Sequence, residues 1–543
     1  MKKIMTAAVA LGIGALLSAQ NINQSVQVTN DYITRFADFQ KQGGELQVPD
    51  SLYRFDYNFD YSVFETPYRG SYEFSPYRIR VTPEARPLDA ARLYLRAGAG
   101  FALRPQLLLA WQPLRTNTGA VGVSADLSGF AGRYRTPDPV GGHDLNGRVG
   151  IHGQYLTPSV RLSGQLGYEG LFAGRGAFGD TEAFGADFSV LSLQGRVQSR
   201  EQAGGQLFYD IDARYRYGAD AYASGNRAVE NDLRLGVSAG PASRGKYRIR
   251  FDGLFELDNV NGYYYKSGSN YLGAKAAMLA SVAPHVEFLL GSVRLDAGVR
   301  LDYSMMDNAA GDPDPRFTVA PDVTVRLPLA AADVELFAAA GGGQSVQSLY
   351  DARQSNHVSY RSDASATVAR ERLRLRAGLD GHWGARMQYG LEAGYVSYAG
   401  KLLPSHLAVL RADYDAVYGR VFLAWKDERV EADGRIGYAY MTFPETCAAF
   451  APPAFTADLR AVYNWQNLVH AGAFLHAASA RTWLDGDGAI PGYADFGLTG
   501  EVRISRSLGA WLEAGNLFGM AIERAPGFIE KGPYITVGLS LKL

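Results

Sequence analysis

The sequence predicts an all-β fold: one transmembrane, up-and-down antiparallel β-barrel of about 22 strands. Three observations predict it. First, the chain ends in Pro533-Tyr-Ile-Thr-Val-Gly-Leu-Ser-Leu-Lys-Leu543. Ile535, Val537, Leu539, Leu541 and Leu543 fall on one face; Tyr534, Thr536, Gly538, Ser540 and Lys542 fall on the other. That is the two-residue period of a strand with unlike faces. No helix follows to cover the aliphatic face. Lipid covers it if the sheet closes on itself, because an open edge cannot lie in hydrocarbon. Second, amphipathic runs of this kind recur from Ala91 onward. Third, the connections between runs alternate between tight and long, as the two ends of a membrane barrel do.

The chain opens with Lys2 and Lys3, an apolar stretch from Met5 to Leu17, and Ser18-Ala19-Gln20. The stretch is too short to span a bilayer, so residues 1–20 are expected to be a secretory signal peptide. No cysteine follows it directly, so no lipid anchor is expected there. Residues 21–90 combine Tyr53, Tyr57, Tyr61, Tyr68, Tyr72 and Tyr77 with prolines 49, 67, 76, 83 and 87. Prolines withhold ladder donors. This segment is expected to be extended, periplasmic or lumen-lining, and its aromatics argue against plain disorder. Residues 91–543 are expected to form the barrel.

The candidate strands begin with Arg92–Phe101, Pro105–Leu114, Val121–Arg133, Leu145–Tyr155, Ser159–Leu171 and Phe188–Arg200. Gln206–Tyr217, Asn231–Ala239, Tyr247–Val260, Tyr271–Ala283, Ser292–Tyr303 and Phe317–Leu327 continue the series. Asp333–Gly341, Glu371–Trp383, Met387–Tyr398, Tyr414–Trp425 and Arg429–Met441 follow. Phe455–Trp465, Leu468–Ser479, Tyr493–Ile504, Leu508–Leu517 and the closing strand complete it. The count is even, as single-chain bacterial barrels require, and numbers from roughly 18 to 24 stay open. Tight connections are expected at Pro284-His285, Pro328–Ala331, Gly384–Arg386, Lys426–Glu428, Gln466-Asn467 and Ser505–Ser507. Long ones are expected at 134–144, 172–187, 342–370 and 442–454. Gly341-Gly-Gly343 reads as a loop breaker. The alternation puts the C-terminus in the periplasm and the long loops outside.

Asn516-Leu-Phe518, Pro526-Gly-Phe528, Gly532 and the terminal amphipathic strand together resemble the end of TonB-dependent receptor barrels. The resemblance implies an outer-membrane location and TonB-linked solute uptake. Two departures qualify it. The last residue is Leu543 rather than an aromatic, and residues 21–90 are too short to be that family's plug domain. Val26-Gln-Val28 does not make a TonB-binding box, so direct TonB coupling is not expected.

The polar faces give candidate lumen-lining residues. Leu373, Leu375, Ala377 and Leu379 oppose Arg372, Arg374, Arg376, Asp380 and His382. Val293, Leu295, Ala297, Val299 and Leu301 oppose Arg294, Asp296, Arg300 and Asp302, and Ile249 and Phe251 oppose Arg248 and Arg250. Lysine is sparse on these faces. Arginine bridges strands through its planar fork, so a wet lattice of arginine and carboxylate is expected rather than an apolar core. Drying such charges would cost several kcal/mol each. The lattice either stiffens the wall or lines a path for anionic solutes.

Other functions find less support. The formal net charge of -1 gives no field for nucleic acid. Cys447 is the single cysteine, a loop thiol with no disulfide partner in the chain. His470 and His476 share a strand face but stand about 20 Å apart, too far to share a metal. Asp312-Pro-Asp314 and Asp485-Gly-Asp487 read as turns. Asp380 and His382 share a face and could orient each other as acid and base, but a nucleophilic serine would have to come from another strand. No enzyme activity, cofactor or metal is expected. The expected partners are outer-membrane lipid and periplasmic or outer-membrane proteins. The expected function is passage or uptake of a solute across the outer membrane. The alternative is an occluded, non-transporting barrel that acts as a scaffold in an outer-membrane complex.

Overall fold

A computed structural model describes residues 92–543 apart from 102, 134–139, 178–182, 201–206, 223–226, 242–246, 264–274, 308–312, 330–332, 357–365, 406–408, 487, 526–527 and 531. The expectations for a signal peptide, for the 21–90 segment and for a missing plug lie outside the described residues.

The strands begin with β1 (Leu93–Phe101), β2 (Gln106–Arg115), β3 (Gly119–Arg133), β4 (Gly141–Leu156), β5 (Val160–Arg175), β6 (Phe184–Ser199) and β7 (Leu207–Tyr222). Next come β8 (Arg227–Pro241), β9 (Tyr247–Tyr263), β10 (Lys275–Leu290), β11 (Val293–Asp307), β12 (Pro313–Leu329) and β13 (Val334–Gln347). A short helix α1 (Leu349–Ser355) separates β13 from β14 (Thr367–Trp383). Then follow β15 (Met387–Pro404), β16 (Val409–Lys426), β17 (Val430–Thr442), β18 (Phe455–Trp465), β19 (Val469–Ala478), β20 (Arg481–Thr482) and β21 (Ala489–Ile490). The last are β22 (Tyr493–Arg503), β23 (Leu508–Gly515), β24 (Ile522–Ala525), β25 (Phe528–Glu530) and β26 (Tyr534–Lys542). β20–β21 and β24–β25 are small separate hairpins; the other strands form one 22-stranded sheet. Each of the 22 runs read from the sequence is one of these barrel strands.

The sheet closes. β1 pairs antiparallel with β26 from Tyr94↔Lys542 to Phe101↔Ile535. Ile535, Val537 and Leu539 of β26 are exposed, whereas Tyr534, Thr536 and Ser540 are buried. The apolar face therefore looks outward, as lipid demands. At the seam, Trp511 of β23 lies over Gly98 and Gly538. A Cβ on Gly98 would stand 2.4 Å from the indole, and one on Gly538 2.5 Å from it. The Arg96 guanidinium covers the same ring at 3.8 Å. These glycines give the ring its room.

Strand ends differ from the sequence reading. β15 runs on to Pro404 and β5 to Arg175. The hydrophobic alternation stops where lipid stops, but ladder hydrogen bonding continues above it. Pro284-His285 is not a turn; it lies inside β10, and the turn is at Gly291-Ser292, with Gly291 at φ 65°. Proline lacks one donor, so it interrupts one ladder only. Pro284 keeps Phe251 as its partner on β9, while the register with β11 resumes at His285↔Gly298. β12 likewise runs through Leu329, one step beyond the expected start of its connection. The turns at Gly384, at Asp427–Arg429, at Gln466-Asn467 and at Ser505–Ser507 are where the sequence places them. Gln466 and Asn467 both take positive φ, 54° and 57°, which suits the twist of a tight hairpin.

The largest departure is at 342–370. Gly341-Gly-Gly343 does not break β13; it forms a bulge between Gly341 and Gly343 in the pairing with β14. β13 pairs with β12 only from Val323↔Ala340 to Leu329↔Val334, yet follows β14 up to Gln347↔Thr367. Above the bulge, the β13–α1–β14 hairpin thus leaves the wall. Gln344 ties it to the inner side of β11 and β12. Its backbone N–H donates to Asp302 at 2.6 Å and its side chain to Thr318 at 3.0 Å.

Candidate functional site

The lumen has two unlike halves. In the half nearer the long connections, which the sequence reading puts outside, α1 starts at Ser348, whose hydroxyl accepts from the Asp351 N–H while the Asp351 carboxylate accepts from the Ser348 N–H, both at 3.1 Å. This capping box offsets the propensity cost of a helix far too short to stand alone. The Leu349 and Tyr350 N–H groups donate to Glu230 of β8, the second at 3.3 Å. Tyr350 and Gln354 both donate to Glu169 of β5, at 2.8 and 2.9 Å. Arg353, with 1 % of its side chain accessible, pairs with fully buried Asp220 of β7 at 2.9 Å. On the other side, Ala352 packs with Leu402 of β15 and Val409 of β16, and Asn356 donates to the Ser405 carbonyl at 3.2 Å. Gln347 bonds the backbone of Gly400 and Leu402, where a β15 bulge frees those groups. α1 therefore crosses the lumen from the β5–β9 wall to the β15–β16 wall.

Beside these polar ties, an apolar cluster packs around α1. Leu171, Phe188, Val190, Ala228, Val260, Ala277, Leu279 and Met306 of the wall pack with Val346, Leu349, Ala366 and Val368 of the hairpin. The wet lattice expected for the whole inner wall is thus corrected here. The sequence shows each wall residue as one more inward apolar side chain among polar ones; the hairpin that covers them is distant in sequence. Charges persist in this half beside the core. Arg216 pairs with Asp232 at 2.7 Å, and Arg214 bridges Asp232 and Glu256 at 3.1 and 3.2 Å.

In the periplasmic half, a recess of about 680 Å³ opens along β12–β18 and is lined by Arg326, Phe337, Arg376, Asp380, Glu392 and Arg420, among others. Glycines make the room. Gly378 lies under the Phe337 ring and Gly390 under Phe422; a Cβ there would stand 2.7 and 2.1 Å from those rings.

The candidate residues distribute as follows. Arg376 and Asp380 meet in the recess, Arg376 facing Glu392 at 3.7 Å. Arg374 stands one step higher and pairs with Glu371 and with Tyr398 at 2.9 Å. Arg372 sits at a β14 bulge and pairs with Asp413. Asp413 shares its strand face with exposed Val417 and Val421. The two-residue count from Arg372 to Arg374 does not carry across the bulge. Arg248 lies over Phe208 at 5.0 Å. Arg250 reaches Asp252 and Asp296 at 2.9 and 3.5 Å. Arg294 is opposite Arg326 in register. Arg300 bonds Asp302 at 2.8 Å and the Gln344 carbonyl at 2.6 Å, so it supports the hairpin.

Sequence reasoning passed over Arg420, Asp433 and Arg435, although Arg420-Val-Phe422 and Asp433-Gly-Arg435 show the same alternation. It also passed over His285, which is buried among Asp252, Asp296 and Asp322 at 3.3–3.5 Å. No hydrogen bond joins Asp380 to His382 among the described residues. His476 pairs with Asp458 at 2.8 Å, and Asp314 with Arg316 at 2.8 Å. Among the described residues no group of His, Cys, Asp and Glu could hold a metal ion.

With this geometry in view, solved structures similar to the chain include metal transporters and an import receptor. The copper transporter OprC is 14 % identical, with a TM-score of 0.61 over 84 % of this chain and 80 % of that one. The FrpB iron transporter from Neisseria meningitidis is 10 % identical, with a TM-score of 0.65 over 84 % and 83 %. The ferric-catecholate import receptor Fiu from E. coli K12 is 11 % identical, with a TM-score of 0.59 over 83 % and 82 %. No family model matches the chain, and no curated protein matches it. The likeness shows the fold: a closed 22-strand antiparallel barrel, carrying an outward apolar face suited to the outer membrane.

Proposed function

We propose that this barrel passes a small solute across the outer membrane, and that the β13–α1–β14 hairpin gates the path. The observation that carries the reading is the division of the lumen. A helix crosses the extracellular half, while a charged recess lies open beneath it. A hydrated recess lined by arginines and carboxylates suits a polar solute. The fold's resemblance to metal and siderophore transporters supports transport in general, not any one cargo.

Planar-bilayer conductance tests the proposal. The wild type is expected to conduct weakly and intermittently. Deletion of residues 348–356 is expected to give steady ion flow. A deletion variant that folds yet stays sealed would overturn it.

A second reading, the occluded scaffold, is favoured by the packed core around α1. It requires that both proteins stay sealed and that the barrel co-purify with defined membrane partners.

A further inference from the structure

The periplasmic recess holds more charge than its own ion pairs use. Arg326 pairs with Glu335, Arg376 with Glu392, and Asp458 with His476. Arg420, Arg435, Asp380 and Asp433 line the same recess, and none of them has an ion pair among the described residues. Across the ladder Arg420 is opposite Glu392, Arg435 opposite Asp458 and Asp433 opposite Arg460, whereas Asp380 is opposite Glu335 and Gly390 and has no basic partner there.

Register brings them close. Asp380 is opposite Gly390, Gly390 opposite Phe422, and Phe422 opposite Arg435. Arg420 is two residues from Phe422, and Asp433 two from Arg435, so each lies about 7 Å along its strand. Three strand spacings separate Asp380 from Arg435, about 14 Å. Phe422 and Asp380 both lie over Gly390, where a Cβ would stand 2.1 Å from the ring and 2.6 Å from the carboxylate. The ring thus leans over Gly390 and puts apolar surface between Asp380 and the arginines.

We infer that this recess is a subsite for a zwitterionic solute of dipeptide size. The solute's carboxylate meets Arg420 and Arg435, its ammonium meets Asp380, and an apolar side chain rests on Phe422. An anion without an ammonium would leave Asp380 unmatched beside it. A cation without a carboxylate would do the same to the arginines. The volume of about 680 Å³ lies in the range of small-ligand pockets. The inference rests on the solute-passage reading and names the solute's class.

Calorimetric titration of the full-length, detergent-solubilised barrel with L-alanyl-L-leucine tests it. The N-acetylated and C-amidated forms are the controls. The free dipeptide is expected to bind saturably, and either cap to weaken it by about tenfold or more, since each removes a charge-assisted contact. R420Q/R435Q should bind the amide and the free acid alike while still rejecting the acetylated form. D380N should do the reverse. Absence of saturable binding to the folded wild type, or caps without effect, overturns the inference. So does a folded variant whose discrimination is unchanged. Heat-modifiable electrophoretic migration reports folding; if a variant fails it, the capped probes on the wild type decide.

Bilayer measurements on the same preparations separate the two claims. Dipeptide binding with a sealed 348–356 deletion sinks passage and leaves the subsite. Conductance without discrimination between capped and free dipeptide sinks the subsite and leaves passage.

Discussion

Trp511 shows what a single residue does at the seam. Its ring is 3 % exposed, between Arg96 and the bare backbones of Gly98 and Gly538. Trp511→Ala leaves a void between the first and last strands and is expected to cost about 3–5 kcal/mol. Gly98→Ala forces a methyl against the indole and the Val537 carbonyl, for about 1–3 kcal/mol. Urea unfolding in micelles reads both, and an unchanged midpoint for either would refute the seam argument. None of this was legible in the sequence, because Gly98 and Trp511 are far apart in the chain and meet only on closure. Cys447 was legible as a loop thiol, but not as one packed against the buried cluster of Val396, Leu403, Ala412, Tyr414, Ala416 and Ala449. Burial pushes its thiol up from the ordinary value, with the nearby Asp485 charge adding to it. Less thiolate is present at neutral pH, so alkylation by iodoacetamide should be slower than for free cysteine. The midpoint of the rate against pH should lie above about 8.5, the midpoint of an ordinary thiol. A free-cysteine profile would contradict the packing.

At the scale of the element, the β13–α1–β14 hairpin turns on one buried pair. Arg353→Ala removes the guanidinium that offsets the buried Asp220 charge, an expected loss of about 3 kcal/mol. The loss falls on docking of the hairpin rather than on the barrel, whose ladders Arg353 does not join. Amide exchange at 349–355 should accelerate while exchange along β1 and β26 stays slow. Equal acceleration at both places would show that α1 is not a separable unit. The chain carried a local sign of this helix. Ser348 and Asp351 have capping-box spacing, but the helix is seven residues long and lies between extended runs. The three glycines misled for a similar reason. Gly343 takes φ 134°, a conformation that serves a bulge as well as a loop. Only the loss of pairing with β12 distinguishes the two.

For the whole molecule, closure in hydrocarbon is the governing constraint. Val537→Arg places a charge on the lipid side of the closing strand and is expected to cost about 2–4 kcal/mol near the bilayer midplane. Refolding into vesicles measures it, and a neutral effect would mean that water rather than lipid wets that face. The sequence by itself determined the class of fold, a strand count of about 22, and which side faces lipid in the strands whose faces it reads, Arg372 excepted. Hydrocarbon acts on every strand separately and with a fixed period of two, so each run carries its own record of it. Tertiary structure alone decided how the lumen is divided. A hairpin that folds inward meets residues from β5 to β16, and that burial is set by contacts between distant segments. The alternation along any one strand cannot tell an inward side chain facing water from one facing α1.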